Sequence, residues 1–161
     1  MSQKPAVQRP VAQIAVRLLV GSNLLSASDD PVYLGLHGSH GREFRLALVR
    51  GPYLRRGHED RFRFGPADEP TVNVANPELN DPSEPAIGAD SITGAYLRKG
   101  QDPIPNVRAL GELDDRLEIV EIEVEVQVQG ETRPLRFARS GPIWLGLVCG
   151  LQLEIPRIEP A

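Results

Sequence analysis

Between residues 118 and 129 the chain reads EIVEIEVEVQVQ, in which Ile122, Val124, Val126 and Val128 alternate with Glu121, Glu123, Glu125 and Gln127. Period-two alternation rich in β-branched residues puts the apolar set on one face of an extended strand and the polar set on the other. Ile14, Val16, Leu18 and Val20 repeat the pattern within 11–20, where Ala15 and Leu19 leave the second face nearly apolar and predict a central strand. Val32, Leu34 and Leu36 match Phe44, Leu46 and Leu48 across the turn Gly38-Ser39-His40-Gly41, a hairpin that sends Glu43 and Arg45 to water. Phe62 and Phe64 alternate with Arg61 and Arg63, Ile92, Tyr96 and Leu97 mark a further strand, and Leu135 and Phe137 open another after Gly130. Residues 143–155 read as one closing strand, separated from its predecessor by Gly141-Pro142, with Leu145, Leu147, Cys149, Leu151 and Leu153 on one face and Trp144 and Val148 on the other. Residues 106–113 suit one or two helical turns. About eight or nine strands with turns between them predict an all-β, antiparallel two-sheet β-sandwich.

Two stretches fall outside this pattern. Residues 1–10 hold Pro5 and Pro10 and little to bury, and read as a flexible lead before a single domain over 11–161. Residues 65–88 hold five prolines and many acids around the short segment 71–74, and predict an exposed, loosely packed insertion. Composition agrees with strands and turns: 161 residues suffice for one core, and 15 glycines and 15 prolines supply the breaks. The single Cys149 has no disulfide partner and, inside an apolar run, is expected to be a small core hydrophobe. The first ten residues lack the apolar region of a secretory signal, and no stretch has the uninterrupted apolar length of a membrane span. A soluble, cytoplasmic protein is expected.

The net charge of −4 conceals an asymmetry. Residues 1–66 carry ten Lys/Arg and five Asp/Glu, whereas residues 67–161 carry eight and seventeen. In an antiparallel sandwich the two parts interleave, so sequence polarity need not become surface polarity. Nucleic acid is disfavoured, because the basic residues lack interleaved aromatics and no reader motif is present. His37 and His40 share a hairpin without a third tetrahedral ligand. Ser39 lies in no G-x-S-x-G elbow, Cys149 has no basic activator nearby, and no phosphate loop occurs. These absences point to a non-enzymatic protein.

The loop at 21–30, GSNLLSASDD, is built of turn formers except for Leu24 and Leu25. The leucines either fold over the sandwich edge or project as an apolar tip. From this loop onward the order of parts resembles the PLAT (lipoxygenase homology, LH2) β-sandwich family. Ser28-Asp29-Asp30 stand where that family has a G-T-D-type loop, residues 32–38 where it has V-x-I-x-L-x-G, and residues 56–62, RGHEDRF, where it has R-G-x-x-D-x-F. The likeness covers about residues 11–64 and, loosely, 90–128. Leu117 replaces the family's late tryptophan, the stretch 65–88 is longer, and residues after Gly130 extend past the pattern.

The resemblance implies an eight-stranded module for membrane, lipid or protein docking, sometimes assisted by calcium, and makes Asp29 and Asp30 the calcium candidates. A hard dication needs six to eight oxygens, so loop carbonyls, and Asp60 if it lies at the same end, would have to complete the shell. The expected function is a non-catalytic binding module with Leu24, Leu25, Tyr53, Leu54, Arg55 and Arg56 at the contact and a membrane lipid or protein as partner. The competing expectation is an assembly protein that binds another subunit through an exposed strand edge and the Pro-rich insertion. A carbohydrate-binding sandwich is a third, opposed by only 5% aromatics.

Overall fold

The computed structural model describes residues 9–39, 41–100, 116–147 and 149–160. In chain order these form β1 (Val11–Val20), β2 (Val32–Gly38), β3 (Glu43–Arg45), β4 (Glu59–Phe64), β5 (Ile92–Lys99), β6 (Leu117–Val128), β7 (Leu135–Leu145), β8 (Gln152–Ile155) and β9 (Arg157–Ile158). One sheet runs β4-β1-β6-β7-β9 and the other β3-β2-β5-β8, every pairing antiparallel. The two-sheet sandwich read from alternation is the observed fold. Among the described residues no helix is long and apolar enough to cross a membrane.

Alternation translates directly into burial. Val16 pairs with Val124 and Leu18 with Ile122, and all four are buried between the sheets. Glu121, Glu123 and Glu125 of β6 lie on the outer face, and their main partner comes from β1 on the other side of the strand from β7. Arg17 of central β1 ion-pairs with Glu121, with Glu123 at 3.0 Å and with Glu59 at 3.0 Å, while Arg136 reaches only Glu125, at 3.4 Å. Cross-strand neighbours on a face settle such pairings, and strand order is not written in local sequence.

The acidic, Pro-rich stretch is largely exposed, yet it is not loosely packed. Val74 and Ile87 are buried in the core. Asn73 acts as a surrogate strand for the β4 edge: the Arg63 N–H donates to Asn73 Oδ1 (2.8 Å) and Asn73 Nδ2 donates to the Arg61 carbonyl (2.9 Å). Asn80 accepts the Arg45 N–H of edge strand β3 (3.1 Å), and Arg42 donates to the carbonyls of Asp81 (2.6 Å) and Pro85 (3.1 Å). Beneath this segment Phe44 and Phe64 meet across the two sheets, ring centroids 5.4 Å apart. Residues 106–113, expected as a helical turn, lie outside the described residues.

The closing strand differs from expectation. Gly141-Pro142 lies inside β7, opposite a register shift between Ile119 and Glu121, where a Cβ at Gly141 would strike the Ile119 carbonyl. The true break is at 146–151, where the Gly146 N–H donates to the Gly150 carbonyl (2.9 Å) and Gly150 takes a φ of +98°. Two glycines four residues apart permit a reversal that apolar alternation conceals. Leu145 and Leu153 remain in the core, whereas Cys149, expected there, is exposed.

Candidate functional site

Antiparallel register sorts the loops between two ends. Val20 pairs with Ile119, Leu117 with Leu145, Leu19 with Glu59 and Val32 with Lys99, so residues 21–31, 46–58 and 146–151 emerge together. Leu24 is 82% exposed, Leu25 46% and Leu147 47%. Of the two readings of the first loop, the projecting tip is the observed one.

The tip is held from below by a buried carboxylate. Glu118 Oε2 accepts from Ser26 Oγ (2.8 Å) and Asn23 Nδ2 (2.9 Å), while its backbone exchanges bonds with Gly21 and Ser26 (3.0 and 2.9 Å). A side chain at Gly21 would run into that carboxylate, so glycine is required by the close approach. Ser26 is buried against Glu118, while Leu24 and Leu25 lie on the outer side of the loop.

The second loop is tied to the first by the Gly57 N–H to the Gly21 carbonyl (2.9 Å) and the Val20 N–H to the His58 carbonyl (3.0 Å). Arg55 and Arg56 face water beside the tip. Leu54, expected at the contact, is instead buried: a φ of 52° turns it into the core, where it is 3% exposed. Tyr53 packs against the core in part. Asp60 is buried as well, and its Oδ2 accepts the Leu54 N–H (2.7 Å), a clamp on the loop.

The three calcium candidates therefore do not assemble. Asp29 is exposed and pairs with Arg55 (3.0 Å), Asp30 pairs with Lys99, whose side chain is 1% exposed, and Asp60 holds a backbone N–H. Among the described residues no group of three or more His, Cys, Asp or Glu is placed to hold a metal. Among the described residues each of these carboxylates already has a cation or a backbone donor, whereas a calcium ion needs six to eight oxygens. Between residues 28–31 and 51–55 lies instead a polar cleft of about 170 Å³, lined by Ser28, Asp29, Asp30, Arg45, Tyr53 and Arg55.

Sequence reasoning missed two further features of this end. Leu147 was hidden in a supposed strand, though the Gly146 and Gly150 spacing was the available signal. Trp144, paired with Glu118 in the β6–β7 register, carries the Arg116 guanidinium 4.9 Å from its ring centroid. No sequence pattern foretold that contact.

The outer sheet faces hold ion-pair clusters that serve the sandwich. Arg98 donates to Glu43 (2.6 and 2.7 Å), as does the Tyr96 hydroxyl (2.9 Å), and the Arg98 guanidinium lies 4.5 Å from the Tyr33 ring. The Arg98 hydrogen bonds hold the Glu43 carboxyl below its usual range; burial, then Glu43, pushes the Tyr96 phenol up. Glu123 is likewise held low by the Arg17 hydrogen bond. Of the two hairpin histidines, His37 lies on β2 and meets Glu154 at 2.9 Å, and His40 lies outside the described residues.

No family model matches the chain, and no curated protein matches it by sequence. Solved structures do. The chain is similar to the alpha-toxin of an avian strain of Clostridium perfringens (TM-score 0.58, 15% identity, covering 96% of this chain and 34% of that one) and to the alpha toxin of Clostridium absonum (0.55, 13%, 91% and 32%). It is also similar to coral 8R-lipoxygenase (0.53, 11%, 91% and 17%), for which calcium activation via a C2-like domain is described. The chain thus spans about a third of the toxins and about a sixth of the lipoxygenase. At these identities the likeness is one of fold, and the fold is the C2-like, PLAT-type β-sandwich that the motifs of residues 28–62 resemble.

Proposed function

We propose that the chain is a non-catalytic binding module that docks on an anionic lipid surface through residues 21–30, 46–58 and 146–151. The observation that carries this reading is Leu24, 82% exposed on a loop latched by Glu118 and hydrogen-bonded to the loop of Arg55 and Arg56. An exposed leucine gains about 1.5–3 kcal/mol on full burial, and each cation near an anionic surface adds about 1 kcal/mol. Apolar tip and neighbouring cations are the two signals that peripheral attachment combines. Assembly through an open strand edge has less support, because Asn73 and Asn80 already engage the β4 and β3 edges.

Flotation with vesicles tests the reading. The wild type is expected to float with phosphatidylglycerol vesicles and not with phosphatidylcholine alone. The double variant L24S/L25S should bind at least about tenfold more weakly, with melting unchanged because both side chains are solvated in the free protein. A wild type that ignores anionic vesicles, or a double variant that binds equally well, overturns it.

A further inference from the structure

Resting on that docking reading, we propose that the cleft between residues 28–31 and 51–55 is a subsite for the phosphate of an anionic lipid headgroup, with Arg45 as the cation that meets it and Lys99 as the buried partner that neutralises Asp30. Lys99 ends β5, its backbone N–H bound to the Leu151 carbonyl (2.8 Å) and its side chain 1% exposed. Its Nζ meets Asp30 and lies 3.5 Å from the Gly100 carbonyl. A buried ammonium is stable only with a counter-charge, so Lys99 and Asp30 fix one another.

Charge then decides what the cleft accepts. Asp30 is matched by Lys99 from beneath and Asp29 by Arg55 at 3.0 Å. Arg45 lines the same cleft and has no ion pair among the described residues. With both carboxylates matched by a cation, Arg45 is the lining residue that can attract an anion. A dication here would meet carboxylates already paired with Lys99 and Arg55, whereas a phosphate meets Arg45 and, on the same lining, Arg55. The cleft lies at the end where Leu24 and Leu25 project, so a headgroup held there would belong to the leaflet those leucines enter.

Thermal unfolding of the full chain tests the cleft without membranes. Glycerol phosphate, the soluble headgroup, is expected to raise the melting temperature of the wild type and not of Arg45→Gln, because a ligand of the folded state stabilises it. Millimolar calcium should leave it unchanged. A calcium-dependent rise that Asp30→Asn removes, or no response to glycerol phosphate, overturns the subsite.

Flotation on phosphatidylglycerol vesicles then tests the source of the phosphate. Arg45→Gln should weaken binding about tenfold, and Arg50→Gln, exposed but outside the cleft, by no more than the roughly fivefold of one surface cation. Equal losses mean diffuse attraction and overturn the subsite. Binding of glycerol phosphate without any flotation overturns the lipid source together with the docking reading. Failure of the cleft itself is distinguishable from this, because it removes the glycerol phosphate response.

Discussion

At one end of the sandwich the turns 38–41 and 129–133 are made of glycine, polar and charged residues, and Arg9 closes nearby by pairing with Asp90 and Glu131. At the other end Leu24, Leu25 and Leu147 stand in water, and Arg45 and Arg56 have no ion pair among the described residues. The turns of the first end hold no large apolar residue, as suits a surface that only has to stay folded. The second leaves apolar area in water, while its foundations, Glu118 and the Lys99–Asp30 pair, are buried and bonded. Rigid support beneath unsatisfied tips is the arrangement of a contact surface, since preorganised groups lose little freedom when a partner arrives.

Breaking the foundation should have the largest effect. Lys99→Met removes the buried ammonium that pairs with Asp30 and is expected to lower stability by about 3 kcal/mol, or roughly 6–12 °C in melting temperature. Lys99→Met combined with Asp30→Asn should recover part of that loss, and chemical denaturation of both variants measures it. Glu118→Ala strips the acceptor from the fully buried Ser26 and should cost about 2 kcal/mol, with faster amide exchange confined to residues 21–26.

Smaller changes sharpen the contrast between the ends. Leu147→Ser should weaken vesicle binding severalfold, whereas Glu131→Gln, at the opposite end, should leave it unchanged in the same flotation assay. The smallest effect concerns pH. Glu43 and Glu123 are held below the usual carboxylate range by Arg98 and Arg17. Their stabilisation is present above the ordinary glutamate value and is lost as pH falls through the lowered one. Stability should therefore be flat at neutral pH and decline below about pH 4, and Glu43→Gln with Glu123→Gln should flatten that decline by under about 1 kcal/mol per pair.

The strands were legible because alternation is local: β1, β2, β4 and β6 follow from their own residues. What sequence could not supply was whatever depends on neighbours distant in the chain. Arg17 as the partner of Glu121 and Glu123 needs the β1–β6 register, and Asn73 as a cover for β4 needs the path of residues 65–88. The site divides in the same way. Leu24, Leu25, Arg55 and Arg56 were visible as apolar and basic loop residues and are indeed outside. Leu54 and Asp60 look the same in sequence, yet a single left-handed residue turns one into the core and the other into a loop clamp. Asp30 looked like a metal ligand because its partner, Lys99, lies 69 residues away.

The reversal at 146–151 has a practical consequence. It places Cys149, the chain's one cysteine, in solvent two residues from Leu147. A polarity-sensitive fluorophore attached to that thiol would sit where a bilayer is expected to meet the protein, with no residue changed to introduce it. Its emission would turn attachment and release into an optical signal that can be followed in real time.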